Sequence, residues 1–236
     1  MEAEDLVKRW EGLQLTTKES APFQVKLEGL KKEDRKKEHY IVGRAMAERT
    51  VNSEAFKTTM SQVWRLEGWV RFIEIGDQSF IIEFQKLEDK DKVLGGRPWF
   101  LDRSLLSLQE VDETISINRI QFRYEPFWVQ LHNLTLATMN EEVGAQFAAS
   151  TGHVILVETK LDGRTWGRCL RVRVAVDIHK PLLRGKWMLF EEKEYWISFK
   201  YERLQNFCFH CGILYHKVKN CNKLWYENQE EDQAPL

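Results

Sequence analysis

The 236-residue sequence lacks a large net charge of either sign. Its 35 Lys and Arg face 36 Asp and Glu and leave -1, so the average charge points neither to nucleic acid nor to a membrane surface. It lacks a long apolar run. The most apolar part, FIEIGDQSFIIEF, is broken after a few residues, well short of the roughly 20 that cross a bilayer, so no membrane partner is expected. The opening MEAEDLVKRW is acidic and interrupted by charge, whereas a secretory signal needs a basic start and a continuous apolar segment; the expected location is intracellular, nucleus or cytoplasm left open. Cysteine is scarce, with four residues of which three fall within fourteen positions. In a reducing compartment such thiols are free or metal-bound rather than paired. No HExxH, GxSxG or GxxxxGK[ST] occurs, and without these the sequence reads as a non-enzyme.

What is present is an ordinary globular composition, 43% hydrophobic and 30% charged, in a chain long enough to bury roughly 70% of its unfolded surface. The charge is unevenly placed. Between Lys160 and Leu224, fourteen Lys and Arg oppose six acids, a surplus of eight, and a local basic surface of that size attracts phosphate.

Hydrophobic periodicity predicts an α+β chain. Residues 1–38 read as an extension, with Leu6, Trp10 and Leu13 at helical spacing and Phe23, Val25 and Leu27 alternating as in a strand. In residues 39–112, HYIVGRAM is a strand, and Asn52 or Ser53 caps a helix whose Phe56, Met60, Val63 and Trp64 share one face. Strands over 68–75 and SFIIEFQ follow, joined at Gly76 and Asp77; a helix then runs from Leu87 to Leu94, and WFLDRSLLSLQEV closes the set as one strand. That order, βαββαβ, is the ferredoxin-like arrangement of RNA-recognition folds.

Residues 126–204 predict a second, partly similar α+β half. It contains strand FWVQLHNL, a helix from Thr138 to Ser150, strand HVILVETK, strand RCLRVRVAVDI and a hairpin from MLFEE and EYWISFKYERL. Leu170, Val172, Val174 and Val176 alternate with Arg171 and Arg173, which predicts a half-buried strand with an exposed basic face. Residues 205–224 hold the cysteine cluster, and 225–236 form an acidic tail of disordered composition.

Cys208, Cys211, His216 and Cys221 form Cys-x2-Cys-x4-His-x4-Cys. Thiolate and imidazole are the ligands tetrahedral zinc favours, and four protein ligands leave no position for a reactive water, so the expected cofactor is one structural Zn2+. Three thiolates on a divalent ion leave one negative charge, which Lys217, Lys219 and Lys223 surround with positive charge. Phe209 follows the first cysteine, where an exposed ring stacks on an unpaired base for about 1 to 3 kcal/mol. His210, between the first two cysteines, reads as exposed.

The run Cys208 to Cys221 resembles the CCHC zinc knuckle of retroviral nucleocapsid and retrotransposon Gag proteins. Residues 39–221 resemble a plant family of retrotransposon-derived, Gag-like proteins in which a domain of unknown function precedes the knuckle. The matching stretches are IVGRAMAERTVNSEAFKTTMSQVW, VLGGRPWFLD, PFWVQLHNL, DGRTWGRCLRVRVAVDIHKPLLRG and FKYERLQNFCFHCG. The resemblance implies zinc binding, single-stranded nucleic-acid binding and an origin in the RNA-packaging protein of a non-LTR retroelement. Two positions depart from the pattern. Tyr215 stands where a glycine usually precedes the histidine, which implies a looser metal loop or an added stacking surface. Ser79 and Ile81 stand where an RNA-recognition sheet carries rings.

The expected function is therefore single-stranded RNA or DNA binding, with Phe209, Lys217, Lys219, Lys223, Arg171 and Arg173 as contacts. The alternative is a knuckle-based protein-interaction or assembly module that self-associates and binds no nucleic acid, with some of the nine tryptophans at its dimer surface.

Overall fold

The computed structural model describes residues 16–23, 39–111, 115–160, 163, 165, 167–214, 216 and 221. The chain divides into two units, residues 1–37 and 38–236. In the first, α1 (Thr17–Ser20) is one turn closed by a capping box: the Glu19 N–H donates to Thr16 Oγ1, and the Thr16 N–H donates to the Glu19 carboxylate at 2.7 Å. The predicted elements on Leu6 to Leu13 and on Val25 and Leu27 lie outside the described residues.

The second unit is mixed α+β and is built on two five-stranded antiparallel sheets. In the first, β1 (His39–Met46), β2 (Val70–Gly76), β3 (Ser79–Phe84), β4 (Trp99–Leu101) and β5 (Ser104–Gln109) lie in the order β2-β3-β1-β5-β4. Helices α2 (Ser53–Trp64) and α3 (Leu87–Gly95) contribute Phe56, Met60, Trp64 and Val93 to a core with Ile41, Phe80, Ile82, Phe84, Leu106 and Leu108. Asn52 caps α2 through its Oδ1, which accepts from the Ala55 N–H at 2.9 Å. Phe56 stacks on Phe80 at 4.3 Å between centroids.

Val63 does not join this face and is 47% exposed. The buried stripe runs at four-residue steps through Phe56, Met60 and Trp64. At about 100° per residue, Val63 sits roughly 60° off its centre.

The closing segment of this half is a hairpin rather than one strand. β4 and β5 turn back through Asp102 and Arg103, both at positive φ (44° and 62°), and Leu101 faces Ser104. The same two-residue turn joins β2 to β3 through Asp77 and Gln78, one position later than predicted. Such turns match the right-handed twist of the strands they connect.

In the second sheet, β6 (Tyr124–His132), β7 (Gly152–Val157), β8 (Cys169–Asp177), β9 (Gly185–Phe190) and β10 (Lys193–Tyr201) lie in the order β7-β8-β6-β10-β9. Strand for strand this repeats the first sheet, down to a terminal hairpin turned through Glu191 and Glu192 at positive φ. α4 (Glu141–Ala148) corresponds to α2, and residues 178–184 form no helix where α3 would be. α4 starts later than Thr138, because Asn140 Oδ1 takes the Val143 N–H and Thr138 is spent on a preceding turn, its hydroxyl donating to Thr135 O.

Leu170, Val172, Val174 and Val176 are buried with Phe127, Val129, Leu131, Ile197 and Phe199, as the alternation predicts. Gly152 allows β7 to approach β8. A Cβ there would lie 2.1 Å from the Ala175 carbonyl oxygen, and no side-chain rotation relieves a clash with backbone. Gly152→Ala is expected to cost about 1 to 3 kcal/mol, read as a lower urea midpoint at unchanged m.

The sheets join where β5 meets β6. Ser107 Oγ and the Leu108 N–H donate to Glu125 Oε2 at 3.0 and 3.3 Å, and Gln109 Nε2 donates to Tyr124 O at 3.2 Å. Among the described residues, no helix is long and apolar enough to cross a membrane.

Candidate metal centre and its surroundings

The candidate metal ligands begin on a tight turn after β10. The Gly212 N–H donates to Cys208 O at 2.7 Å, and the Cys208 N–H donates to Ile213 O at 2.8 Å. Gly212 makes the turn at φ +75°, and a Cβ there would sit 3.3 Å from Pro181 Cβ. The left-handed backbone favours glycine here, and the tight space beside Pro181 adds to that preference. The turn is tied to the body of the protein: the Leu182 N–H donates to Gly212 O at 3.0 Å, and Leu214 is buried in the core of the second sheet. Cys208, Cys211 and Ile213 form a small buried cluster against which Cys221 packs.

The turn brings Cys208 and Cys211 together with His216 and Cys221, and the four ligand atoms lie within 4.8 Å of one another. Cys211 Sγ and His216 Nε2 are 3.2 Å apart. Tetrahedral zinc, with thiolate bonds of about 2.3 Å, needs sulfurs about 3.8 Å apart, so the group is positioned to hold one metal ion of that size. The thiols differ when no ion is bound. Burial opposes ionisation of Cys208, but the N–H groups of Cys211 and His210 and the neighbouring thiols outweigh it and hold its pKa below the usual thiol value. Burial, together with the negative charge favoured at Cys208, pushes the Cys211 thiol up to about 11. A divalent cation removes that conflict by binding all the thiolates at once. Cys169, on β8, is outside the ligand set.

Phe209 is 80% exposed, its ring 4.6 Å from that of Phe207, which packs on the second core. His210 is also exposed. Lys217, Lys219 and Lys223, Tyr215 and the tail 225–236 lie outside the described residues.

Arg171 and Arg173 point away from the core, as their alternation predicts, but both are half-buried rather than exposed. Arg171 grips Glu202 with two nitrogens, at 2.7 and 3.0 Å, and Glu158 with a third at 2.7 Å. Its guanidinium lies 4.5 Å from the Trp128 ring, and that of Arg173 lies 5.5 Å from it. Each planar cation thus finds a carboxylate or an aromatic face on its own sheet. Sequence reasoning missed Trp128, although Phe127 and Val129 on either side alternate inward and so turn it outward beside Arg173.

Two family models match the chain. A domain of unknown function (DUF4283) matches residues 33–119, which include the whole first sheet, and a zinc knuckle matches residues 176–223, which include β9, β10 and all four candidate ligands. No curated protein matches the sequence. The chain therefore has the architecture of a DUF4283 domain followed by a CCHC zinc knuckle.

Proposed function

We propose that this protein binds single-stranded nucleic acid, RNA in the first place, through a zinc-dependent knuckle, without catalysis. The observation that carries the reading is the gathering of Cys208, Cys211, His216 and Cys221 within 4.8 Å beside the exposed ring of Phe209. Zinc held by all four side chains has no vacancy for substrate or water, so its work is structural. It holds the turn that presents Phe209, and Lys217, Lys219 and Lys223, close to the ligands in sequence, supply positive charge. The knuckle following a DUF4283 domain supports descent from a retroelement Gag-like protein. The run β1-α2-β2-β3-α3-β5, with β1 between β3 and β5, supports an RNA-recognition-like, ferredoxin-like first half to which β4 is added at the edge.

Binding is expected to be salt-dependent and nearly indifferent to sequence. About three to five neutralised phosphates, at about -0.7 each, give log-log slopes of roughly -2 to -3.5, or a loss of roughly 16- to 130-fold between about 50 and 200 mM salt. Phe209→Ala removes stacking but no charge, so it is expected to cost about 1 to 3 kcal/mol at every salt concentration with the slope unchanged. Fluorescence anisotropy on a short unstructured RNA measures both.

The assembly reading draws on the edge strands, where Leu189 of β9 (72% exposed), Trp187 and, on β7, Ile155 and Leu156 present apolar side chains. A concentration-dependent dimer in light scattering, with no salt-sensitive RNA binding, is the outcome that would favour it.

A further inference from the structure

Beside Trp128, at the junction of the two sheets, four arginines converge on a cavity of about 130 Å³: Arg97 after α3, Arg171 and Arg173 on β8, and Arg203 after β10. Arg171 is neutralised by Glu158 and Glu202. The other three have no carboxylate within ion-pair distance among the described residues. Their guanidinium groups are held instead by backbone oxygens. Arg173 donates to Gly95 O at 3.2 Å and Arg203 to Gly96 O at 2.9 Å, while Arg97 donates to Leu94 O at 2.7 Å and Leu108 O at 3.0 Å. The carbonyls at the end of α3 offer only a partial negative charge, about half a unit for a whole helix terminus.

The positive charge is therefore in excess. After Glu158 and Glu202 are counted two positive charges remain, and Glu125, buried behind the cluster, offsets at most one more. Burial and repulsion from Arg97, Arg203 and Arg171 together hold the Arg173 pKa below its usual value. The carbonyl bonds leave most of the five N–H donors of Arg173 and Arg203 for a ligand. The cavity has room for a tetrahedral oxyanion. Trp128 is covered by Arg171 and Arg173, so its face is not open to a base.

We infer that this pocket binds a phosphate group, through Arg173 and Arg203 with Arg97 behind them, as one backbone phosphate of a single strand that also reaches the knuckle. The phosphate pocket follows from the arginine geometry; its assignment to a nucleic-acid strand rests on the function proposed above. The pocket reads charge and shape but no base, which suits sequence-independent binding.

The test uses the full zinc-loaded chain with two probes, pyrophosphate by titration calorimetry and a short unstructured RNA by anisotropy. Arg203→Gln keeps a Cβ at a backbone position of φ 59° and gives up one exposed hydrogen bond, and Arg173→Gln is the second variant. Lys200→Gln, an exposed charge on β10 outside the pocket, is the control for charge alone. Arg203→Gln and Arg173→Gln are each expected to weaken pyrophosphate at least fivefold more than Lys200→Gln does, and to reduce the RNA salt slope by about 0.7. Equal pyrophosphate affinity in all three variants overturns the pocket, even if RNA still binds the wild type. Pyrophosphate binding that depends on Arg203, in a protein that does not bind RNA, upholds the pocket and overturns the nucleic-acid reading.

Discussion

Cys208→Ser is expected to release the metal and unfold the segment from Cys208 to Cys221. The energy at stake is large, because structural zinc supplies about 10 to 16 kcal/mol of apparent binding free energy in small fingers at neutral pH. The buried cluster of Cys208, Cys211 and Ile213 is too small to replace it. The damage does not stop at the knuckle. Leu214 is buried in the second core and Gly212 O accepts from the Leu182 N–H, so an unfolded knuckle withdraws a leucine from that core, for about 1.5 to 3 kcal/mol. Metal analysis is expected to find one zinc per wild-type chain and none in Cys208→Ser, with a lowered melting temperature for the remaining body. Cys169→Ser is expected to keep its zinc. Loss of zinc in that variant, or retention in Cys208→Ser, would refute the ligand assignment.

The stability of the protein is expected to fall as pH rises through the neutral range, and Glu125→Gln is expected to abolish that fall. Glu125 is completely buried where the sheets meet; its Oε2 is bonded and its Oε1 has no hydrogen-bond partner among the described residues. Burial raises its pKa from 4.5 to about 7, against the opposing pull of Arg97, Ser107, the Leu108 N–H and Arg173. Between those two values the folded chain keeps a proton that the unfolded chain has given up, so acid favours the fold. The benefit is full below about pH 4.5, declines above it and is lost once pH passes about 7. From pH 5.5 to 8.5 the loss is about 2 kcal/mol. Glutamine is neutral throughout and has no such dependence. Urea midpoints of both proteins across that range test this, since any titration of the metal ligands is common to both. Parallel pH profiles would show that Glu125 ionises normally.

Much of this architecture is legible from residue patterns. The alternation of Leu170 to Val176 places β8, Asn52 or Ser53 marks the start of α2, and the spacing from Cys208 to Cys221 picks out the four residues that the fold gathers. What the patterns conceal depends on distant partners or on unusual backbone. The Asp102-Arg103 turn holds two residues at positive φ without glycine or asparagine, so β4 and β5 read as one strand. The acids that hold Arg171 come from Glu158 and Glu202, 13 and 31 residues away, and a charge count over the segment cannot pair them. The second half reads only as partly similar to the first; that the two strand orders are equal depends on long-range pairings, with no sequence repeat to reveal it. Arg97 and Arg203 meet across 106 residues only because the C-terminal turn of α3 lies against the end of β10.

The most direct test of a zinc-dependent nucleic-acid binder compares RNA binding by the zinc-loaded chain, the chelator-treated chain and Cys208→Ser, by anisotropy on one unstructured single-stranded RNA at about 50 and 200 mM salt. The expected result is salt-sensitive binding by the zinc-loaded protein, lost in the other two and restored to the chelated chain by added zinc. Equal affinity in all three, or affinity that ignores salt, would contradict it.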